Sequence, residues 1–178
     1  MRIFVGISLP EEVRESIAGI CYGLPGIKWV PAENLHLTLV FLGELPEIRR
    51  ESLSEFCSTI QFRPFSFNLK GIEWFIKKKS PSILYIDVEP APELLELQKT
   101  IDSGLRRLGF TIEGKNYKPH ITIGRFKDVP MDKVVSYMEE FRDFVEIGIP
   151  AQEFHVYSSR SGPNGQMYRI EESFPNKA

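Results

Sequence analysis

The sequence predicts an α+β fold: two pseudo-symmetric lobes of mainly antiparallel sheet, with flanking helices around a central cleft. Three observations predict it. About eight or more short segments alternate apolar and polar residues with period two, and four longer ones carry apolar residues at helical spacing. Neither a low-complexity tract nor a linker long enough to separate domains interrupts them. Finally, the phrase His36-Leu37-Thr38-Leu39 recurs as His120-Ile121-Thr122-Ile123, 84 residues later. Its surroundings recur too: Pro46 matches Pro130 at 84, Ile3-Phe4-Val5 matches Leu84-Tyr85-Ile86 at 81, Pro10-Glu11 matches Pro92-Glu93 at 82 and Trp74 matches Phe154 at 80. Offsets that drift by loop-sized amounts indicate an internal duplication, roughly 1–80 and 81–178, within a single domain.

Each element has a local reason. Ile3, Val5, Ile7 and Leu9 alternate with Phe4, Gly6 and Ser8, a strand over 2–9 whose Gly6/Ser8 face is small enough to border the cleft. Pro10 suits a first helical position and Glu11 and Glu12 favour the positive helix start. Val13, Ile17, Ile20 and Leu24 extend that helix to Pro25-Gly26. A short strand at 27–30 and a turn at 31–34 lead to the first motif strand, 35–42, which Gly43 ends. A helix from Pro46 to Ile60 buries Leu53, Phe56, Cys57 and Ile60. Strands at Phe65–Leu69 and Ile72–Ile76 precede a basic turn, Lys77 to Ser82. The second copy has a strand at 83–88, a helix at 92–108 with Leu94, Leu97, Ile101, Leu105 and Leu108 on one stripe, and Gly109 to stop it. The second motif strand, a helix at 131–141 and strands at 144–149, 153–159 and 166–174 follow, the last two joined by a turn at 162–165.

Totals exclude several classes. The 178 residues are 42% hydrophobic and 26% charged, ordinary for a soluble globular chain. A net charge of −2 is not the footprint of a protein that coats nucleic-acid duplexes, though a substrate gripped at one end remains compatible. Cys21 and Cys57 make neither a CxxC pair nor a disulfide framework, so a reducing compartment, the cytoplasm, is expected. The N-terminus lacks a secretory pattern and no run approaches a membrane span. A monomer is the default, and no zinc-ligand spacing is present.

The chemistry sits on the paired motif. Successive strand side chains point to opposite faces, so Ile121 and Ile123 anchor a core while His120 and Thr122 face the other way. Two lobes facing each other would bring His36, Thr38, His120 and Thr122 into one cleft. Histidine titrates nearest neutrality, so a neutral one can accept a proton while a charged one donates. Hydroxyls grip an anion without adding charge, and Arg125 would add a charge-assisted grip. This set suits phosphodiester cleavage with no metal and no cofactor. Arg125 poses a parity conflict: an odd offset from His120 puts it on the opposite face of a regular strand. Either a bulge at Gly124 re-aims it, or it turns to the other lobe or solvent.

These motifs resemble the paired HxTx phrases of the 2H phosphoesterase superfamily. KWVPAENLHLTLVFLGE (28–44), YKPHITIGRF (117–126) and VYSSRSGPNGQMYRI (156–170) are similar to its RNA 2′,3′-cyclic phosphodiesterase branch, also known as 2′-5′ RNA ligase-like. The resemblance implies a bilobal fold and metal-independent opening of an RNA 2′,3′-cyclic phosphate end, or of a cyclic nucleotide, to a 2′-phosphomonoester. It implies His36 as proton donor to the leaving 3′ oxygen, His120 as proton acceptor from water, and Thr38, Thr122 and Arg125 as phosphate ligands. An ATP-independent 2′-5′ RNA ligase and a non-catalytic phosphate-binding module are the rival readings.

Other candidates read as structural. His155 has Tyr157, not threonine, two residues on, and is a strand residue. Phe41, at an odd offset from His36, reads as core rather than as a base-stacking platform. Trp29 and Trp74 read as core or lobe interface. Lys77, Lys78 and Lys79 read as a solvated turn, with contact to RNA phosphates as the second reading. Tyr157 and Arg160 are candidates for the cleft rim.

Overall fold

The structure, a computed structural model, describes residues 1–163 and 165–177. Among the described residues nine strands form two antiparallel sheets: β1 (Arg2–Ser8), β2 (Lys28–Trp29), β3 (His36–Glu44), β4 (Phe65–Phe75), β5 (Ser82–Val88), β6 (His120–Phe126), β7 (Val145–Ala151), β8 (Glu153–Gly162) and β9 (Gly165–Pro175). The helices are α1 (Glu11–Ala18), α2 (Arg50–Thr59), α3 (Pro92–Arg107) and α4 (Met131–Glu140), with single 3₁₀ turns at Ala32–Asn34 and Glu47–Arg49. The α+β class and its mainly antiparallel sheets are as the sequence predicts.

One sheet has the order β3-β1-β8-β9 and the other β2-β6-β5-β4-β7. Setting β3 on β6 aligns β1 with β5, β8 with β4 and β9 with β7. The sequence matches fall on the same pairs: Phe4 with Tyr85, His36 with His120 and Phe154 with Trp74. Each lobe therefore takes strands from both halves of the chain. Every sheet pairing is antiparallel. A single hydrophobic core contains Val5, Leu37, Leu84, Ile121 and the α3 stripe of Leu94, Leu97, Ile101 and Leu105.

Several boundaries move, each for a physical reason. Helix α1 stops at Ala18 rather than Leu24. There the bonds tighten to i→i+3, from Ile20 N–H to Ile17 and from Cys21 N–H to Ala18, and the Tyr137 hydroxyl takes the Ile20 carbonyl. Leu24 is still buried, carried by the loop. Leu108 is 49% exposed, not on the core stripe; Gly109 at φ 77° reverses the chain and buries Phe110 instead. The predicted strands at 65–69 and 72–76 are one strand, β4, bent at Gly71 (φ 81°), where its register shifts, and Ile76 lies exposed beyond it. Gly43 does not end β3, which runs on to Glu44. Phe56 is only half-buried and packs on Gly104 of α3. The turn expected at 162–165 includes Asn164, which lies outside the described residues.

Gly6 is required by space. A Cβ there would sit 2.8 Å from the Leu37 carbonyl oxygen, a backbone atom of β3 that cannot rotate away. Gly6→Ala is expected to push apart the β1–β3 ladder next to His36 and Thr38 and to lower stability by about 1–3 kcal/mol. Urea unfolding checks this; a wild-type midpoint with a wild-type slope would refute it.

Candidate active site

Leu37 and Leu39 of β3 and Ile121 and Ile123 of β6 are at most 2% exposed, so alternation turns His36, Thr38, His120 and Thr122 outward from the core. The two motif strands pack against each other across the lobe boundary. All four side chains line one cleft, together with Arg125, Phe4, Phe41, Val30, Asn34 and Tyr168.

Arg125 reaches the cleft through a one-residue bulge. Tyr85 pairs with Thr122 but Leu84 pairs with Gly124, leaving Ile123 unmatched. Parity inverts after it, which places Arg125 on the face of His120 and Thr122. Gly124 serves here by being small: a Cβ would meet Ile27 Cδ1 at 2.5 Å. Strand β3 repeats the device. Gly6 pairs with Thr38 and Val5 with Val40, so Leu39 is the unmatched residue. Phe41 therefore turns onto the motif face and is half-buried at the cleft. The expectation that it belongs to the core is corrected, because alternation was counted through a bulge.

Both imidazoles are held the same way. His36 Nδ1 lies 2.7 Å from the Asn34 carbonyl and His120 Nδ1 lies 2.7 Å from the Lys118 carbonyl. A carbonyl only accepts, so both Nδ1 atoms carry hydrogen and both Nε2 atoms have a lone pair in the neutral ring. His36 Nε2 is 2.9 Å from the Thr38 hydroxyl, which donates to it. Among the described residues no protein group bonds His120 Nε2. The His36 ring is packed by Phe4 (4.7 Å), Tyr168 (5.1 Å, edge-on) and Tyr157 (5.6 Å), whereas His120 has Tyr85 (5.1 Å) and Phe75 (5.3 Å) on edge.

This packing sets the electrostatics. Burial is the main cause that lowers His36 to about 4, and the nearby charges of Arg125 and His120 push the same way against the Asn34 carbonyl. His120 is lowered too, by burial first and then by Lys118 and Lys77, against the Lys118 carbonyl and Asp87. Around the mouth the lining cations are Arg2, Lys28, Lys77 and Arg125, with Glu113 as the acidic side chain. A chain of net charge −2 thus presents a locally cationic cleft.

Several supporting residues carry no motif signal. The buried Asn34 amide donates to the Gln166 carbonyl (2.7 Å), tying the turn that bears the His36 acceptor to β9. The Tyr117 hydroxyl donates to the Thr38 carbonyl (2.9 Å) across the lobes, and Val30 N–H bonds Ile123 C=O (2.8 Å). Lys118 Nζ donates to the Tyr85 hydroxyl (2.9 Å) and lies 4.0 Å from Asp87. Of the three turn lysines only Lys77 lines the cleft. Tyr157 is 6% exposed and lies beneath His36 rather than on the rim, and Arg160 contacts Met1. His155 is 2% exposed between the Ser8 and Ser173 hydroxyls, as a structural strand residue would be. Trp29 packs on Tyr137 beside the cleft and Trp74 packs against the core.

Two facing His-x-Thr strands on a two-lobed α+β scaffold define a 2H phosphoesterase. More particularly, the chain belongs to the 2′-5′ RNA ligase superfamily, whose family model matches residues 9–163. It is 38% identical over 176 residues to a Thermotoga maritima protein named RNA 2′,3′-cyclic phosphodiesterase, covering 96% of this chain and 92% of the relative. It is 33% identical over 175 residues to an Archaeoglobus fulgidus protein of the same name, covering 95% and 97%. A crystal structure of a Thermus thermophilus protein superposes with a TM-score of 0.80 at 28% identity over the whole of both chains. Escherichia coli LigT complexed with NADP+ shares the fold, with a TM-score of 0.78 at 23% identity, covering 99% and 98%. Among the described residues no helix is long and apolar enough to cross a membrane.

All three histidines lie below their ordinary value in the fold, His155 also mainly through burial. The unfolded chain therefore binds more protons below pH 6.5, so the stability these rings contribute is intact above that and is lost as pH falls towards 4. Urea midpoints are expected to drop progressively from pH 6.5 to 4.5, and a flat series would refute neutral histidines in the fold.

Proposed function

We propose that this chain is a single-domain, metal-independent RNA 2′,3′-cyclic phosphodiesterase that releases 2′-phosphomonoesters. The observation that carries the reading is the convergence of two imidazoles, two hydroxyls and a re-aimed guanidinium on one cationic cleft. The names of two relatives, 33% and 38% identical and matched over more than nine-tenths of both chains, agree with it. The substrate's phosphate sits between the lobes, with Thr122 and Arg125 on one side and Thr38 on the other. His120 Nε2 accepts a proton from water as the water oxygen bonds to phosphorus. The bond from phosphorus to O3′ breaks, and His36 Nε2–H gives its proton to O3′. The neutral His36 of the empty cleft is not yet an acid. The phosphate's negative charge favours the imidazolium and lifts His36 on binding. Substrate binding thereby charges the proton donor.

Three measurements test this. His36→Ala and His120→Ala are each expected to cost at least about 100-fold in kcat, because each removes one proton-transfer partner. A variant with wild-type turnover would remove its histidine from the mechanism. The pH profiles of kcat and kcat/KM are both expected to be bell-shaped, with the basic limb of kcat at higher pH than that of kcat/KM. Coincident limbs would refute charging by substrate, and flat profiles from pH 5 to 9 would refute the pair. Phosphorus NMR of a nucleoside 2′,3′-cyclic phosphate digest is expected to show 2′-phosphate alone, at the same rate with EDTA. A 3′-phosphate would keep the acid–base pair but reverse how the cyclic ester lies between His36 and His120, and loss of rate with EDTA would overturn metal independence. Joining of RNA ends bearing a 2′,3′-cyclic phosphate and a 5′ hydroxyl, without hydrolysis, would favour ligation.

A further inference from the structure

Two residues before each motif histidine stands the residue whose carbonyl holds Nδ1–H, Asn34 for His36 and Lys118 for His120. The backbone device is the same, but the side chains differ in charge. Asn34 is buried, and its neutral amide donates to the Gln166 carbonyl (2.7 Å). Lys118 is exposed, and its Nζ donates to the Tyr85 hydroxyl (2.9 Å). The ring matched to Tyr85 in the other lobe is Phe4, which has no hydroxyl to offer. Two paired differences, Asn34 against Lys118 and Phe4 against Tyr85, thus build an ammonium dock into the lobe of His120.

The dock is rigid and close to the imidazole. Tyr85 is 2% exposed and stacks on Phe75 (4.4 Å). Lys118 Nζ lies 5.2 Å from the Tyr85 centroid and 5.8 Å from that of Phe75. The same two rings meet His120 at 5.1 and 5.3 Å. The Tyr85 hydroxyl is the first cause that raises Lys118 above its ordinary value, so the lysine stays charged while His120 titrates. Asp87, 4.0 Å from Nζ, is beyond hydrogen-bond reach. Other charges also face His120: Asp87 of β5, Lys77 of the turn before it, Arg125 along β6, and His36 and Glu113 across the cleft. Glu73 of β4 faces Lys118 itself.

We propose that Lys118 is a positioning residue for the proton acceptor: its carbonyl orients the His120 ring, and its ammonium, docked on Tyr85, opposes positive charge on that ring before substrate binds. The inference rests on the proposed function and deepens it, because it names what keeps the acceptor ready. Like charges on one pair of rings repel, so the docked ammonium favours the neutral imidazole, whose Nε2 lone pair takes the proton from water. Burial acts first in the same direction, and Asp87 acts against it. Because Lys118 is exposed, added salt weakens its effect.

Proton NMR titration of His120, assigned with His120→Ala, tests the lysine independently of turnover. At low salt Lys118→Met is expected to raise the affinity of His120 for a proton about 2- to 10-fold, with His155 titrating as in the wild type. Lys118→Arg, which keeps a cation able to reach the Tyr85 hydroxyl, is expected to keep the wild-type titration, and Asp87→Asn to lower the affinity. An unchanged or lowered affinity in Lys118→Met overturns the proposal, and so does a Lys118→Arg titration that follows Lys118→Met. With adenosine 2′,3′-cyclic phosphate, Lys118→Met is expected to lose kcat/KM by up to the same factor at the acid end of the profile, and less as pH rises. A loss equal at every pH marks a merely structural role and overturns the proposal. Should the wild type not hydrolyse this compound, the proposed reaction fails separately, and the titration still decides whether Lys118 governs the charge of His120.

Discussion

Each motif strand contains, directly after its threonine, a residue that its neighbour does not match, and the cleft depends on that irregularity. A regular strand with period two would show the histidine and threonine to the cleft and hide the residue five positions after the histidine. The bulges at Leu39 and Ile123 invert the alternation after the threonine. One strand thereby offers three outward side chains, His-Thr-Phe in β3 and His-Thr-Arg in β6. The bulges need room beside them. Gly6 provides it where β1 approaches the Leu37 carbonyl, and Gly124 provides it against Ile27 and Trp29. Small residues at these points are thus part of how the site is shaped, though neither enters the cleft chemistry.

The two lobes hold their histidines by the same local rule and then treat them differently. In both, the carbonyl two residues upstream fixes Nδ1–H, a backbone contact that any residue type supplies. The rings packed around each histidine set the difference. Phe4, Tyr157 and Tyr168 enclose His36 and its Nε2 is already engaged by Thr38, so its charged form is strongly disfavoured in the empty cleft. His120 meets only ring edges, and Asp87 offsets part of the effect of Lys118 and Lys77. A near-symmetric scaffold thus yields two chemically unlike imidazoles.

Much of the fold was legible in the sequence because its signals are local. Period-two alternation located the strands, and Pro10, Pro92 and Pro130 marked three helix starts. Errors arose where distant groups intervene. Helix α1 ends early because Tyr137, 117 residues away, takes a carbonyl. Leu108 is exposed because Gly109 turns Phe110 inward in its place. The same distinction runs through the site. His36, Thr38, His120 and Thr122 stand out from the repeat, whereas Asn34 and Tyr117 act across 132 and 79 residues of chain, with nothing nearby in sequence to flag them. Arg125 was visible only as a conflict between chemistry and parity, and Phe41 was misassigned for want of the bulge.

By itself, the sequence determined that this chain has two lobes of one pattern and that each brings a histidine and a threonine to a common face. Hydrophobic alternation is a property of neighbours, and a duplicated phrase carries its geometry with it. Only the tertiary structure decided which further residues join them and how each imidazole titrates. Register between strands, the position of a bulge, and the number of rings and charges around a buried nitrogen are all properties of residues brought together from across the chain.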